Sequence, residues 1–202
     1  METHGALTAG RLVDTKSGYF SAIYKDANTG ELFYVNRGTD NRPDIAADAL
    51  QAYGHASVQY DIAIDNAQRL VSGNVTITFE GHSLGGGLAT AQAVVSGYRA
   101  TVFNPAAVHP NTVGGAAILA RQNSLVTNIT VNGELLSYWQ DKPGGILSAG
   151  GRRVPLDPAN WERTRAYNGS SSVSANINPF DNHSTTTVLD SIFYRYENGK
   201  GF

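Results

Sequence analysis

The 202 residues contain no cysteine, which excludes disulfide staples, thiolate nucleophiles and thiolate metal sites. That absence fits a reducing cytoplasm and a disulfide-free secreted protein equally well, so it does not choose a compartment. No apolar run is long enough to cross a bilayer. The opening residues, Met1 to Gly10, lack the basic stretch followed by an apolar one that marks a secretory signal, and the chain as it stands is expected to be soluble. Charge of one sign is also missing: 15 basic and 17 acidic residues give a formal net charge of -2, without the basic block that a phosphate backbone demands. Nucleic acid is therefore excluded as a partner. There is no cluster of histidine or cysteine ligands, so neither a metal nor another cofactor is expected.

What is present suits one globular domain over residues 1–202. Hydrophobic residues make up 41% of the chain and charged residues only 16%, enough to bury a sizeable core. Two β-rich runs, Gly18 to Tyr24 and Leu32 to Asn36, flank Asp26-Ala27-Asn28-Thr29-Gly30 and predict a hairpin. A polar stretch from Pro43 to Tyr53 has some helical character. Tyr60, Ala63, Ile64, Ala67, Leu70 and Val71 then recur at helical spacing, with Gly73 as a stop. Val75 to Phe79 reads as a short strand, and Leu84, Leu88, Ala91 and Val95 as a second helix ending at Gly97. Further strands are expected at Ala100 to Phe103 and around Asn128 to Val131, and a helix over Thr186 to Tyr196. This alternation predicts an α/β fold, a mostly parallel central sheet with helices on both faces. From Asp141 to Asp181 the chain is rich in Gly, Ser, Asn and Pro and reads as a solvated surface excursion. Trp139, Ile146, Leu147 and Trp161 leave open a second reading, in which it folds over the site and holds an apolar substrate.

Between the strand ending at Phe79 and the helix beginning at Leu84 lies Gly81-His82-Ser83-Leu84-Gly85. Strand, sharp turn and helix are the context in which Gly-x-Ser-x-Gly exposes a serine nucleophile, the arrangement of an α/β-hydrolase. A serine hydroxyl attacks only when held exposed, beside a base, with donors ready for the oxyanion. Ser83 is thus the candidate nucleophile, and the Leu84 N–H at the helix start is one candidate oxyanion donor. His82, adjacent to the nucleophile, is expected to project away from it and pack beneath the turn.

The segment Phe79-Glu80-Gly81-His82-Ser83-Leu84-Gly85-Gly86-Gly87-Leu88-Ala89 resembles the nucleophile segment of the lipase (class 3) family. Upstream, Val35-Asn36-Arg37-Gly38-Thr39-Asp40 resembles that family's Phe-Arg-Gly-Thr segment, with Asn36 in place of the aromatic residue. The likeness is greatest to bacterial and phage-borne lipase-like domains, several of which act as secreted phospholipase effectors. It implies the α/β-hydrolase fold and makes Thr39 the second oxyanion donor. Family order puts the acid and then the histidine after the serine, which implies His183, the sole histidine of the C-terminal part, as base. Glu134, closing a predicted strand, takes the place of the family's aspartate; Asp141, Asp157 and Asp181 remain competitors for the acid. Asn104, in Phe103-Asn104-Pro105-Ala106, is expected to cap or brace the neighbouring turn without a catalytic role.

The resemblance implies hydrolysis of a lipid ester, either a phospholipid acyl ester or a neutral glyceride, with contact at a membrane surface. Acyl transfer to an alcohol on the same three residues, and an inactive domain that holds lipid or docks a partner, are the rival readings. It also implies a domain secreted or delivered by a longer parent chain, leaving a delivery or immunity partner open, although a cytoplasmic protein remains compatible with the residues.

Overall fold

The computed structural model describes residue 10 and residues 12–38, 58–140, 149–158 and 182–197. The helix expected over 43–53, the candidates Thr39, Asp141 and Asp181, residues Ile146, Leu147 and Trp161, and the side chain of Trp139 lie outside the described residues.

A short strand β1 (Val13–Asp14) leads into the expected hairpin, β2 (Tyr19–Lys25) and β3 (Leu32–Asn36), paired antiparallel. Its turn forms because Asp26 caps it: Asp26 Oδ1 accepts from the N–H groups of Asn28 (2.8 Å) and Thr29 (2.7 Å). After β3 come α1 (Val58–Ser72), β4 (Thr78–His82), α2 (Leu84–Ser96) and β5 (Ala100–Phe103). Gly97 ends α2 in the left-handed conformation, φ 84°, where a side chain would be strained. Two single-turn helices, α3 (Ala116–Leu119) and α4 (Gln122–Leu125), precede β6 (Val126–Val131). Then follow α5 (Leu135–Gln140), β7 (Arg152–Leu156) and α6 (Thr185–Glu197).

Among the described residues the seven strands form one sheet in chain order, β1 to β7, parallel from β3 onward. The crossovers from β3 to β4 and from β4 to β5 step in the same direction. Right-handed crossovers then place α1 and α2 on the same face. There Ala67 and Leu70 of α1 and Ala89 and Ala93 of α2 pack on Tyr34, Phe79, Ala100, Val102 and Val126. The residues that alternate with these point to the other face, where Ile129, Val131, Val154 and Leu156 meet Val188 and Ile192 of α6. The expectation of an α/β fold with a mostly parallel sheet and helices on both faces is met.

Three local expectations shift. The strand placed at Val75–Phe79 forms at Thr78–His82 instead, running into the glycine motif, because Phe79, Gly81 and His82 pair with Ala100, Val102 and Phe103 on β5. Val71, placed on the inner face of α1 by spacing, is exposed, and the polar Asn66 is buried in its stead. The supposed excursion after Asp141 contains β7, in which Val154 and Leu156 face inward. Pro155 is tolerated there because β7 is the last strand of the order, and its missing N–H leaves no ladder position empty.

A buried polar layer lies between the hairpin and the helices. The Tyr34 hydroxyl meets those of Tyr19 and Ser21 (each 2.8 Å) and accepts from the Asn66 amide (2.8 Å). Asn36, the residue standing where the family has an aromatic, donates to Gln92 Oε1 (2.7 Å) on α2. Each partner is satisfied, so the layer ties the end of β3 to α2 without an orphaned polar group at Asn36.

Candidate active site

The site lies at the carboxyl end of the parallel strands, where β4 turns into α2. Ser83 sits in that turn at φ 59°, ψ -126°, a region that costs a residue with a side chain about 1–3 kcal/mol. Neighbours over-determine the strained conformation. The Ser83 N–H donates to Phe103 O (3.0 Å), and Ser83 O accepts from the N–H groups of Gly86 (3.0 Å) and Ala106 (2.9 Å). The turn can be this tight only with glycine on both sides. A Cβ on Gly81 would stand 2.1 Å from Gly85 O, and one on Gly85 would stand 2.4 Å from Asn36 O. Leu84 is the first residue of α2, so its N–H is one of those with no acceptor inside the helix.

Glu134 and His183 reach Ser83 from two other segments. Glu134 follows β6 through the turn at Gly133, φ 75°, and enters α5. His183 lies two residues before the start of α6, whose first turn is capped by Ser184 Oγ accepting from the Thr187 N–H (3.2 Å). His183 Nε2 stands 2.9 Å from Ser83 Oγ, and His183 Nδ1 stands 2.6 Å from Glu134 Oε2. The histidine is 2% exposed and the glutamate 0%, so both depend on partners within the protein for polar contact.

The protons follow from the partners. A carboxylate only accepts, so Nδ1 of His183 carries the hydrogen and Nε2 is left with its lone pair toward Ser83 Oγ–H. Burial works to raise the Glu134 pKa, but the bonds and charge of His183 and the hydrogen bonds from Ser137 outweigh it and hold the carboxyl below the usual range. Glu134 Oε2 also accepts from the Leu136 N–H (2.9 Å), and Oε1 from Ser137. The first turn of α5 thus supplies a fixed anion cradle.

Of the sequence candidates, Ser83, His183 and Glu134 come together and Leu84 adjoins them. Asp157 does not join them; it lies beyond β7, where it accepts from Asn132 Nδ2 (3.0 Å) in an exposed position. Two residues given no catalytic part by the sequence reach the site's main chain. Asn104, fully buried and at φ 42°, donates from Nδ2 to Asn182 O (3.1 Å), while its Oδ1 accepts from the Val131 N–H (2.9 Å). His82 Nε2 stands 2.6 Å from His183 O. Neither contact with the main chain at 182–183 has a short-range sequence signal, because these span 78 and 101 residues.

Burial, and then the charge of His183, push the His82 pKa down to about 4, against the opposing effects of its bond to the His183 carbonyl and of Glu134. Between about pH 6.5, the unfolded value, and pH 4, the unfolded chain therefore binds more protons at His82 than the folded one. Stability due to this group is intact above pH 6.5 and is lost as pH falls toward 4, by about 3 kcal/mol in all. Urea unfolding of wild type and His82→Gln at pH 7.5 and pH 4.5 checks this: the variant is expected to lose less stability on acidification by about 2 kcal/mol.

A family model described as a Tle-like phospholipase domain, of the phospholipase-like group, matches residues 3–171. That span takes in Ser83 and Glu134 and stops before His183. The extracellular phospholipase A1 of Serratia liquefaciens is 33% identical over 108 residues, which cover 53% of this chain and 33% of that protein. The match therefore spans about a third of the curated relative's length.

Proposed function

The chain belongs to the Tle-like phospholipase domain family, and from that premise we propose that it is a serine-dependent carboxylic ester hydrolase, one α/β-hydrolase domain over residues 1–202, that cleaves an acyl ester of a phospholipid. The observation that carries the proposal is the hydrogen-bonded chain from Ser83 to His183 to Glu134. Its members come from three segments that only the fold unites, and each hydrogen bond is compatible with the polarity that acyl transfer requires.

In the proposed mechanism Ser83 Oγ attacks the ester carbonyl while His183 Nε2 takes its proton. Glu134 keeps the Nδ1–H tautomer in place and stabilises the imidazolium that forms. The tetrahedral oxyanion is held by the Leu84 N–H and by Thr39, and the strain at Ser83 keeps Oγ presented at the head of α2. His183 then returns the proton to the departing glycerol oxygen, leaving an acyl-enzyme. Water, activated by the same imidazole, releases the fatty acid.

The phospholipid is preferred to a neutral glyceride because the matching family and the Serratia relative are both phospholipases. The relative's A1 designation points to the same acyl ester here. Such a substrate lies in a lipid surface, and contact with that surface accompanies the proposal. Among the described residues no helix is long and apolar enough to cross a membrane.

Mass spectrometry of products from a mixed bilayer of phospholipid and triglyceride tests the reading. Equimolar lysophospholipid and free fatty acid are expected. Diglyceride without lysophospholipid would overturn the substrate class, and acyl esters of an added alcohol in place of free acid would replace hydrolysis with acyl transfer.

A further inference from the structure

Resting on the proposed roles of Ser83 and His183, we propose that His82 is a positioning residue of the hydrolysis, one that locks the His183 main chain to the strand end carrying the nucleophile. His82 precedes Ser83 in sequence, yet its ring turns to the opposite face of the sheet from Gly81, toward the α6 side. There its Nε2 lies 2.6 Å from His183 O, and the two imidazoles stack obliquely with ring centroids 4.9 Å apart. A carbonyl oxygen only accepts, so His82 holds its hydrogen on Nε2 and donates it. The separation is short for an N–H···O contact, which places the two groups in direct hydrogen-bond contact.

The consequence is a closed ring. Ser83 Oγ bonds the His183 side chain, the His183 carbonyl bonds the His82 side chain, and His82 joins Ser83 by a peptide bond. Nucleophile and base are thereby tied to each other directly. Without the His82 bond, the His183 main chain would be held by Asn104 and by the segment that leads into α6. Asn104 adds a second tie: its Nδ2 donates to Asn182 O (3.1 Å) and stands 3.5 Å from His183 O. Its Oδ1 anchors to Val131, three residues before Glu134. The base is thus held to the nucleophile's strand by His82 and to the acid's strand by Asn104. A displacement of a base by about 1 Å costs on the order of 10²-fold in rate, so a bond that prevents it is expected to show in turnover.

The test compares His82→Phe, His82→Gln and His82→Asn, with Ser83→Ala as the control for the reading of the site. Phe keeps a ring of similar size and loses the donor. Gln places an amide N–H near the position of Nε2, whereas Asn carries the same group too short to reach it. Turnover of a short-chain ester is expected to fall roughly 10- to 100-fold in His82→Phe and His82→Asn, with KM changed by less than about 3-fold, and to recover to within about 3-fold of wild type in His82→Gln. The rate at which a fluorophosphonate labels Ser83 should follow the same order, since labelling needs the same base. Because Gln and Asn are alike in polarity and differ in reach, their comparison stands even if His82→Phe does not fold. Wild-type turnover in His82→Asn, or Gln and Asn equally impaired, would overturn the positioning role while leaving the site's reading intact. Retained hydrolysis in Ser83→Ala would instead remove that reading itself.

Discussion

Ser83→Ala is expected to lower ester turnover by roughly 10³- to 10⁶-fold, with folding little changed. The size of the loss follows from what the hydroxyl does in the proposed mechanism: it forms the bond to the acyl carbon, and among the described residues no neighbouring group offers a substitute nucleophile. What survives is the catalysis available from the oxyanion donors and from binding alone. The fold should tolerate the change because the turn is held by main-chain bonds from Phe103 O to Ser83 N and from Gly86 and Ala106 to Ser83 O, none of which uses Oγ. Steady-state kinetics on a soluble ester, with circular dichroism on the same sample, check both halves. Turnover at the wild-type rate would remove Ser83 as nucleophile.

Glu134→Gln is expected to cost about 10³- to 10⁴-fold in kcat, whereas Asp157→Asn leaves kcat close to wild type. The carboxylate accepts on both oxygens, from His183 Nδ1 and the Leu136 N–H at Oε2 and from the Ser137 N–H at Oε1. An amide has one oxygen. If that oxygen faces His183, the NH2 group opposes the Ser137 N–H, donor against donor. If it faces Ser137, the NH2 group donates to His183 Nδ1, forces the hydrogen onto Nε2 and leaves no lone pair for the Ser83 proton. Either arrangement also loses the negative charge that stabilises the imidazolium. Asp157 is exposed and bonds only to Asn132 among the contacts seen, so its amide should leave the imidazole undisturbed. A collapse in Asp157→Asn with normal turnover in Glu134→Gln would move the acid to Asp157.

Where local chemistry and the sheet agree, the chain was readable residue by residue. The Asp26 turn makes the hairpin because an Asp side chain caps its own backbone two and three residues on, which needs no distant partner. α2 was legible from its spacing and its Gly97 stop, and the elbow from glycines that flank a serine between strand and helix. β4 was placed three residues early, because Glu80-Gly81-His82 looks like a turn by composition. Its pairing partner on β5, 21 residues away, makes it strand. β7 was unreadable for the same kind of reason: two arginines and a proline argue against a strand until β6 and α6 provide a surface for Val154 and Leu156.

The sequence by itself determined the Ser83 turn, since only glycine on both sides permits so close a backbone approach, and it determined an alternating order of strands and helices that a parallel sheet can accommodate. The family resemblance, through the order of its members, pointed to His183 as the base and to Glu134 as the acid, with Asp141, Asp157 and Asp181 as competitors. The tertiary structure alone decided which of these groups meet. Side-chain reach is a few ångströms, whereas Ser83, Glu134 and His183 are separated by 49 to 100 residues of chain. Only the register of β4 against β5 and β6, which places their carboxyl ends side by side, brings Ser83 and Glu134 to one spot. The same register turns His82 and Asn104 onto the His183 main chain, a contact that no local pattern encodes.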